Sequence, residues 1–231
     1  MTEPSLPPVT ALAIYDMDRT ITRTGTYTPF LIHAALARAP WRLLLLPVVL
    51  LAMLAYVAKL IDRGRLKEIN QALLLGRHIA PAELAPITAS FADKTVKLNS
   101  YPLALARIAE DRAAGRRLVL ATASYRLYVE AIAERLGFDD VIATNSLAGL
   151  DARIRAKIDG ENCYGPAKLR MILAWMAREG IDRGQARIRF YSDHVSDAPV
   201  LEWADEPFAT TPSAKLRAMA ARRGWPVLDW N

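Results

Sequence analysis

The chain has 231 residues, 52% hydrophobic and 23% charged, with ordinary glycine and proline content, so disordered, collagen-like and mucin-like classes are excluded. Its single cysteine, Cys163, excludes an internal disulfide framework and a cysteine-cluster zinc site, and three scattered histidines argue against a histidine-rich metal site. The net charge of +6 is concentrated in residues 21–100, which carry 10 Lys/Arg against 4 Asp/Glu, while the remainder carries 20 of each.

Residues 1–10 read as a loose, Pro-containing lead-in without the basic-then-apolar layout of a signal peptide, so the expected chemistry faces the cytoplasm. Residues 11–15 (ALAIY) are an apolar run ending in acid, the pattern of a buried strand entering a loop. The same pattern recurs at residues 116–121, Asp140–Ala143, Ile188–Tyr191, Glu206–Thr210 and Pro226–Leu228. Between these runs, Leu103–Ala114, Tyr128–Leu136 and Ala167–Arg178 carry helical spacing, the last two stopped by Gly137 and Gly180. Strands alternating with helices predict an α/β fold with a parallel, Rossmann-like sheet. Active sites in such sheets sit beyond the carboxyl ends of the strands.

Residues 21–100 break the alternation. They hold an apolar block and two polar helical segments, Asp62–Leu75 and Pro81–Lys97, with no convincing strand. The expected organisation is a core of residues 1–20 and 101–231, with 21–100 as a helical cap inserted after the first strand. Within the cap, Leu43–Ala58 is 16 residues without a charge, in an apolar segment of about 41–61. A spanning helix needs about 20 apolar residues. A single crossing would also separate Asp16 from Thr122, Lys168 and Asp193. The readings left are a hairpin with Thr28–Ala39, a re-entrant or in-plane helix kinked at Pro47, or a buried helix of a soluble cap. Trp41 and Arg42 before the run, and Lys59, Arg63, Arg65 and Lys67 after it, favour contact with an anionic membrane surface. Arg38 belongs to the same set. No nucleic-acid signature is present. His33 and His78 read as surface or packing residues.

The residues that carry chemistry lie at strand ends. Asp16 and Asp18, two apart, put two carboxylates into one crevice, where one attacks and the other moves a proton. Thr122 follows the second strand just before a helix, where a hydroxyl and backbone N–H groups could bind a phosphate oxygen. Lys168 opens the third helix in Gly165-Pro166-Ala167-Lys168. Asp193 and Asp197 end another strand, a carboxylate pair suited to magnesium. Each feature alone also reads as a capped loop or a surface residue.

Taken in order, Asp-x-Asp-x-Thr (Asp16, Asp18, Thr20), Thr122, Lys168 and Asp-x-x-x-Asp (Asp193, Asp197) resemble the haloacid dehalogenase superfamily over about residues 11–231. The resemblance implies that Asp16 is the nucleophile forming an aspartyl-phosphate and Asp18 the general acid/base. It implies that Thr20 braces the loop, and that Thr122 and Lys168 bind the substrate phosphate. Asp16, the carbonyl of Asp18 and Asp193 would hold Mg2+, with Asp197 beside Lys168 or a metal-bound water. One departure is Arg19, where the family usually has glycine. The side chain must then point away from the site or toward a substrate phosphate. Asp18 itself separates phosphatases and mutases from metal-free dehalogenases. Residues 160–165 and 215–226 are similar to the phosphoserine-phosphatase-like branch, and the apolar insertion is similar to that of phosphatidylglycerophosphatase C-type lipid phosphatases. The implied activity is hydrolysis of a phosphate monoester, with a lipid phosphate such as phosphatidylglycerophosphate expected. The alternatives are a soluble phosphoserine-type phosphatase and a catalytically silent membrane adaptor. The expected location is the cytoplasmic face of the inner membrane, peripheral or re-entrant, with plain cytoplasm the alternative. Cys163 reads as a small loop or core residue.

Overall fold

The structure, a computed structural model, describes residues 10–230. All but the last residue of the expected lead-in therefore lie outside the described residues. The first strand, β1 (Thr10–Tyr15), has Leu12 to Tyr15 fully buried, as a strand covered on both faces requires. The chain then leaves the sheet for α1 (Tyr27–Arg38), a 3-10 stretch (Pro40–Leu45), α2 (Leu46–Val57), α3 (Arg63–Leu74), β2 (His78–Ile79) and α4 (Pro81–Asn99). It re-enters through α5 (Pro102–Ala113), β3 (Arg117–Tyr125), α6 (Arg126–Leu136), β4 (Asp140–Ala148) and β5 (Ile154–Asp159). The remainder is α7 (Pro166–Arg178), β6 (Ala186–Ser192), α8 (Ala198–Trp203), β7 (Glu206–Thr210), α9 (Ala214–Arg223) and β8 (Val227–Leu228).

The strands form one sheet in the order β2-β5-β4-β3-β1-β6-β7-β8. From β4 to β8 the pairing is parallel. The chain runs outward from β1 through β3 to β4 on one side, then crosses to β6 on the other. That reversal opens a crevice beyond the carboxyl ends of β1, β3 and β6. One apolar cluster packs on each face, one built with α4 and α6 and the other with α7, α8 and α9. The result is the α/β core with a helical insertion after the first strand that the sequence pattern predicts.

Two features of the sheet differ from that prediction. β4 runs five residues beyond Ala143, and its outer half pairs antiparallel with β5, which carries no strong alternation of its own. The cap is not free of strand either, because β2 pairs with β5 over His78–Arg155 and Ile79–Ile154. Two residues are too few to leave a period-2 signal.

The apolar run also departs from expectation. Pro47 sits in the first turn of α2, where a proline is tolerated, and does not kink it. The stretch Pro40–Val57 is apolar and long enough to cross a membrane by length and composition, yet only 6% of it is buried. Val49 and Ala52 face inward, while Leu44 is 80% exposed and Leu51 and Leu54 are each 63% exposed. A buried core helix of a soluble cap does not have this pattern. The flanking charges are not all free for lipid. Arg38 donates to Glu83 and to the carbonyl of Leu75, and Arg42 donates to the carbonyls of Ala72 and Leu73, so both cap the end of α3. Lys67 is buried. Lys59 and Arg65 remain exposed, and Arg63 turns into the crevice.

Candidate active site

The crevice is a cavity of about 440 Å3 lined by Asp16, Asp18, Arg19, Thr122, Lys168, Asp193 and Asp197 among others. Residues up to 181 positions apart thus meet at the ends of three neighbouring strands. Asp16 follows β1 directly, and its N–H donates to the carbonyl of Tyr191 in β6 at 2.9 Å, which fixes the loop to the sheet. Lys168 is 2% exposed, and its Nζ donates to Asp16 Oδ1 at 2.7 Å and to Asp197 Oδ2 at 2.6 Å. It reaches them from the first turn of α7 because Gly165, at φ +59°, turns the chain into that helix through a conformation glycine adopts without strain. The Ser192 hydroxyl also donates to Asp197 Oδ2, at 2.8 Å, while Asp197 Oδ1 is buried without a partner.

Thr20 is buried between the two strand ends. Its hydroxyl accepts the Asp193 N–H at 3.0 Å and lies 3.4 Å from Asp16 Oδ2. Asp18 is held by residues that sequence reasoning did not single out. The N–H and hydroxyl of Thr26 both donate to its Oδ1 at 2.7 Å, and the Ser124 hydroxyl donates to its Oδ2 at 2.7 Å. Tyr128 stands 2.9 Å from the Thr26 hydroxyl. Thr122 lines the cavity from within β3, not from the start of a helix. The helix begins four residues later at Arg126, without a side-chain cap, and the Thr122 hydroxyl accepts the Ser124 N–H at 3.1 Å.

Arg19 takes φ +64°, a backbone conformation that disfavours side chains and suits glycine. Its side chain lines the cavity on the Asp193 side, so it points toward the site. Lys67 reaches across from α3 and donates to the Ala123 carbonyl at 2.6 Å and to Asn162 Oδ1 at 2.9 Å. Arg63 stacks on the Tyr164 ring, 4.1 Å from its centroid. Cys163 is fully buried, and burial pushes its thiol up to about 12, so it is inert packing. His33 contacts Ser90 and Phe91, and His78 is exposed in β2.

The electrostatics are set by a surplus of carboxylates buried at the base of the crevice. Burial, then the neighbouring Asp197 and Asp193, push the Asp16 carboxyl up against the opposing pull of Lys168. Burial and Asp197 push Asp193 up to about 6. Lys168 loses hydration, yet Asp16 and Asp197 hold its ammonium well above the usual range. Three acids share one buried lysine, so a divalent cation would relieve the repulsion. No group of three or more His, Cys, Asp or Glu side chains suited to a metal occurs among the described residues. Magnesium does not need one, because it commonly takes one or two carboxylates and fills its octahedron with carbonyl, water and phosphate oxygens. Asp16, Asp193 and the Asp18 carbonyl fit that donor set.

Residues 13–202 match the haloacid dehalogenase-like hydrolase family. The histidinol-phosphatase of Neisseria meningitidis is 25% identical over 161 residues, covering 67% of this chain and 72% of that protein. Other curated relatives are longer, and this chain spans 46% of one and 37% of another. Among solved structures, a Bordetella pertussis protein of unknown function has a TM-score of 0.87 at 28% identity, covering 96% of this chain and all of that one. A substrate-bound phosphoserine phosphatase has a TM-score of 0.60 at 15% identity, covering 95% and 92%, which shows a shared fold.

Proposed function

We propose, because the chain belongs to the haloacid dehalogenase-like hydrolase family, that it is a magnesium-dependent phosphomonoester hydrolase. The observation that carries this reading is the pairing of Lys168 with Asp16 at 2.7 Å beside an Asp18 held by three donors. Lys168 orients the Asp16 carboxylate and opposes the burial that pushes its carboxyl up. An Asp16 oxygen attacks phosphorus and the ester P–O bond breaks. Asp18, protonated at that moment, gives its proton to the departing oxygen. Asp18 then takes a proton from water as that water attacks phosphorus, and the acyl phosphate bond breaks to return Asp16 and release phosphate. Thr122 and Lys168 receive the phosphoryl oxygens. Magnesium, held by Asp16, Asp193 and the Asp18 carbonyl, would neutralise charge on the phosphoryl group.

The proposed substrate is a lipid phosphate, with phosphatidylglycerophosphate the first to test, and the cap is proposed to lie on the cytoplasmic face of the membrane. Support comes from the exposed leucines of Pro40–Val57, an apolar surface far beyond scattered single residues. Arg42 ties the start of this stretch to α3 while Met53 and Val57, near its end, flank a recess beside Asp18. Such a helix lies in the interface plane and keeps the crevice at head-group height. Phosphate release from phosphatidylglycerophosphate, lysophosphatidate and phosphoserine tests the reading. The first two should exceed phosphoserine by at least tenfold in kcat/KM. A preference for phosphoserine would support the soluble small-molecule alternative, and no release from any ester would support a silent adaptor.

A further inference from the structure

A second cavity of about 380 Å3 adjoins the phosphate crevice. The two share Asp18, Tyr27, Thr28, Arg63 and Ala123. Met53, Tyr56 and Val57 of α2 and Leu66 of α3 give the second cavity its apolar wall. Those three α2 positions follow Val49 and Ala52 at helical spacing and are exposed where the cavity opens. The helix therefore presents one apolar face outward and another to the catalytic cleft. Asn70 of α3 also lines this cavity; it is 6% exposed, and its Oδ1 is buried without a hydrogen-bond partner. A buried acceptor left unpaired costs stability, so it marks a place for a donor.

We propose that this cavity is the leaving-group subsite, and that it takes a phosphate ester whose alcohol carries an apolar chain and a hydroxyl near the ester. The assignment rests on the phosphatase reading. Asp18 meets the departing oxygen in that reading, and Asp18 forms the boundary between the two cavities. A leaving group passing Asp18 enters the wall of Met53, Tyr56, Val57 and Leu66. Its hydroxyl donates to Asn70 Oδ1.

Three water-soluble esters test this without a membrane: ethyl, hexyl and 2-hydroxyhexyl phosphate, all below micelle concentration. Each buried methylene contributes roughly fourfold in binding, so kcat/KM for hexyl phosphate, four methylenes longer, should exceed that for ethyl phosphate by about 250-fold. The hydroxyl should add roughly fivefold more, as a modest hydrogen bond does. Val57→Arg puts a long charged side chain at the mouth of the cavity from a residue 75% exposed, where folding tolerates it. It should bring the hexyl-to-ethyl ratio within about threefold of one, an effect of the size lost in the methylene count. Asn70→Leu should remove the advantage of the hydroxyl while keeping that of the chain. Turnover of ethyl phosphate with a hexyl-to-ethyl ratio near one overturns the subsite and leaves the phosphatase reading standing. No turnover of any ester, together with no protection against thermal unfolding by hexylphosphonate over ethylphosphonate, overturns both.

Discussion

Thr26 and Asp18 are joined twice, since the backbone N–H and the hydroxyl of Thr26 each donate to the same Asp18 oxygen at 2.7 Å. Thr26 stands at the start of α1, the first helix of the insertion, so the segment that leaves the sheet also orients the proposed acid/base. Thr26→Val removes one of the two donors and keeps the shape. It should lower kcat by about fivefold with KM little changed, since one hydrogen bond is worth about 1 kcal/mol. Asp18→Asn should cost about 10²–10⁴, the usual contribution of a positioned acid/base. Steady-state kinetics on one soluble ester compares the two.

Asp193 gives a pH dependence with a definite sign. Its carboxyl is pushed from the ordinary 3.8 up to about 6, chiefly by burial and then by Asp197. A carboxyl raised by folding contributes stability that is full below its unfolded pKa and lost as pH rises through the folded one. In chelator, this group should therefore lower stability between pH 4 and about 6, by up to about 3 kcal/mol. Magnesium should reverse the loss, and Asp193→Asn should flatten the slope while removing activity. Thermal melts across pH, with and without magnesium, read both effects.

Lys67 ties the cap to the core. Lys67→Met removes one of two donors to the Ala123 carbonyl, the Thr144 hydroxyl at 2.7 Å being the other, and should cost about 1 kcal/mol. It should also raise KM, because α3 loses its anchor beside the cleft. Chemical denaturation and kinetics on the same preparation check the pair of effects.

The order of the four motifs made most of the site legible. Asp16, Asp18, Thr20, Lys168, Asp193 and Asp197 follow strands or open a helix, Thr122 lies within the last residues of β3, and strand ends can be read from short apolar runs. Thr26, Ser124 and Lys67 could not be found that way. Thr26 and Ser124 are short hydroxyl residues among others of their kind, and nothing in their spacing marks contacts to Asp18 across 8 and 106 positions. Lys67 sits within a row of basic residues that reads as a face toward anionic lipid, and only the tertiary fold turns its amine inward. The antiparallel β5 was hidden for a similar reason. It lies next to the edge strand β2, where incomplete burial leaves Ile154, Ala156 and Ile158 too weak a pattern to distinguish from a loop.

Replacing Leu44, Leu51 and Leu54 by Ser removes three of the most exposed apolar side chains of the cap. Because they face away from the core, the fold should survive with stability within about 1 kcal/mol of the parent. Flotation with anionic liposomes should fall at least tenfold. Activity on a lipid phosphate should fall with it, while activity on p-nitrophenyl phosphate should hold. Equal flotation by parent and variant would remove the membrane from the account.

The central claim is a covalent phosphate on Asp16. Protein quenched in acid during turnover, reduced with borohydride and digested, should show Asp16 converted to homoserine in the peptide that contains it, and no other acid so converted. Asp16→Asn should abolish both that conversion and turnover, since an amide cannot form the acyl phosphate. Turnover by the parent without any conversion at Asp16, or an Asp16→Asn protein that still hydrolyses the ester at near the parent rate, would contradict the account.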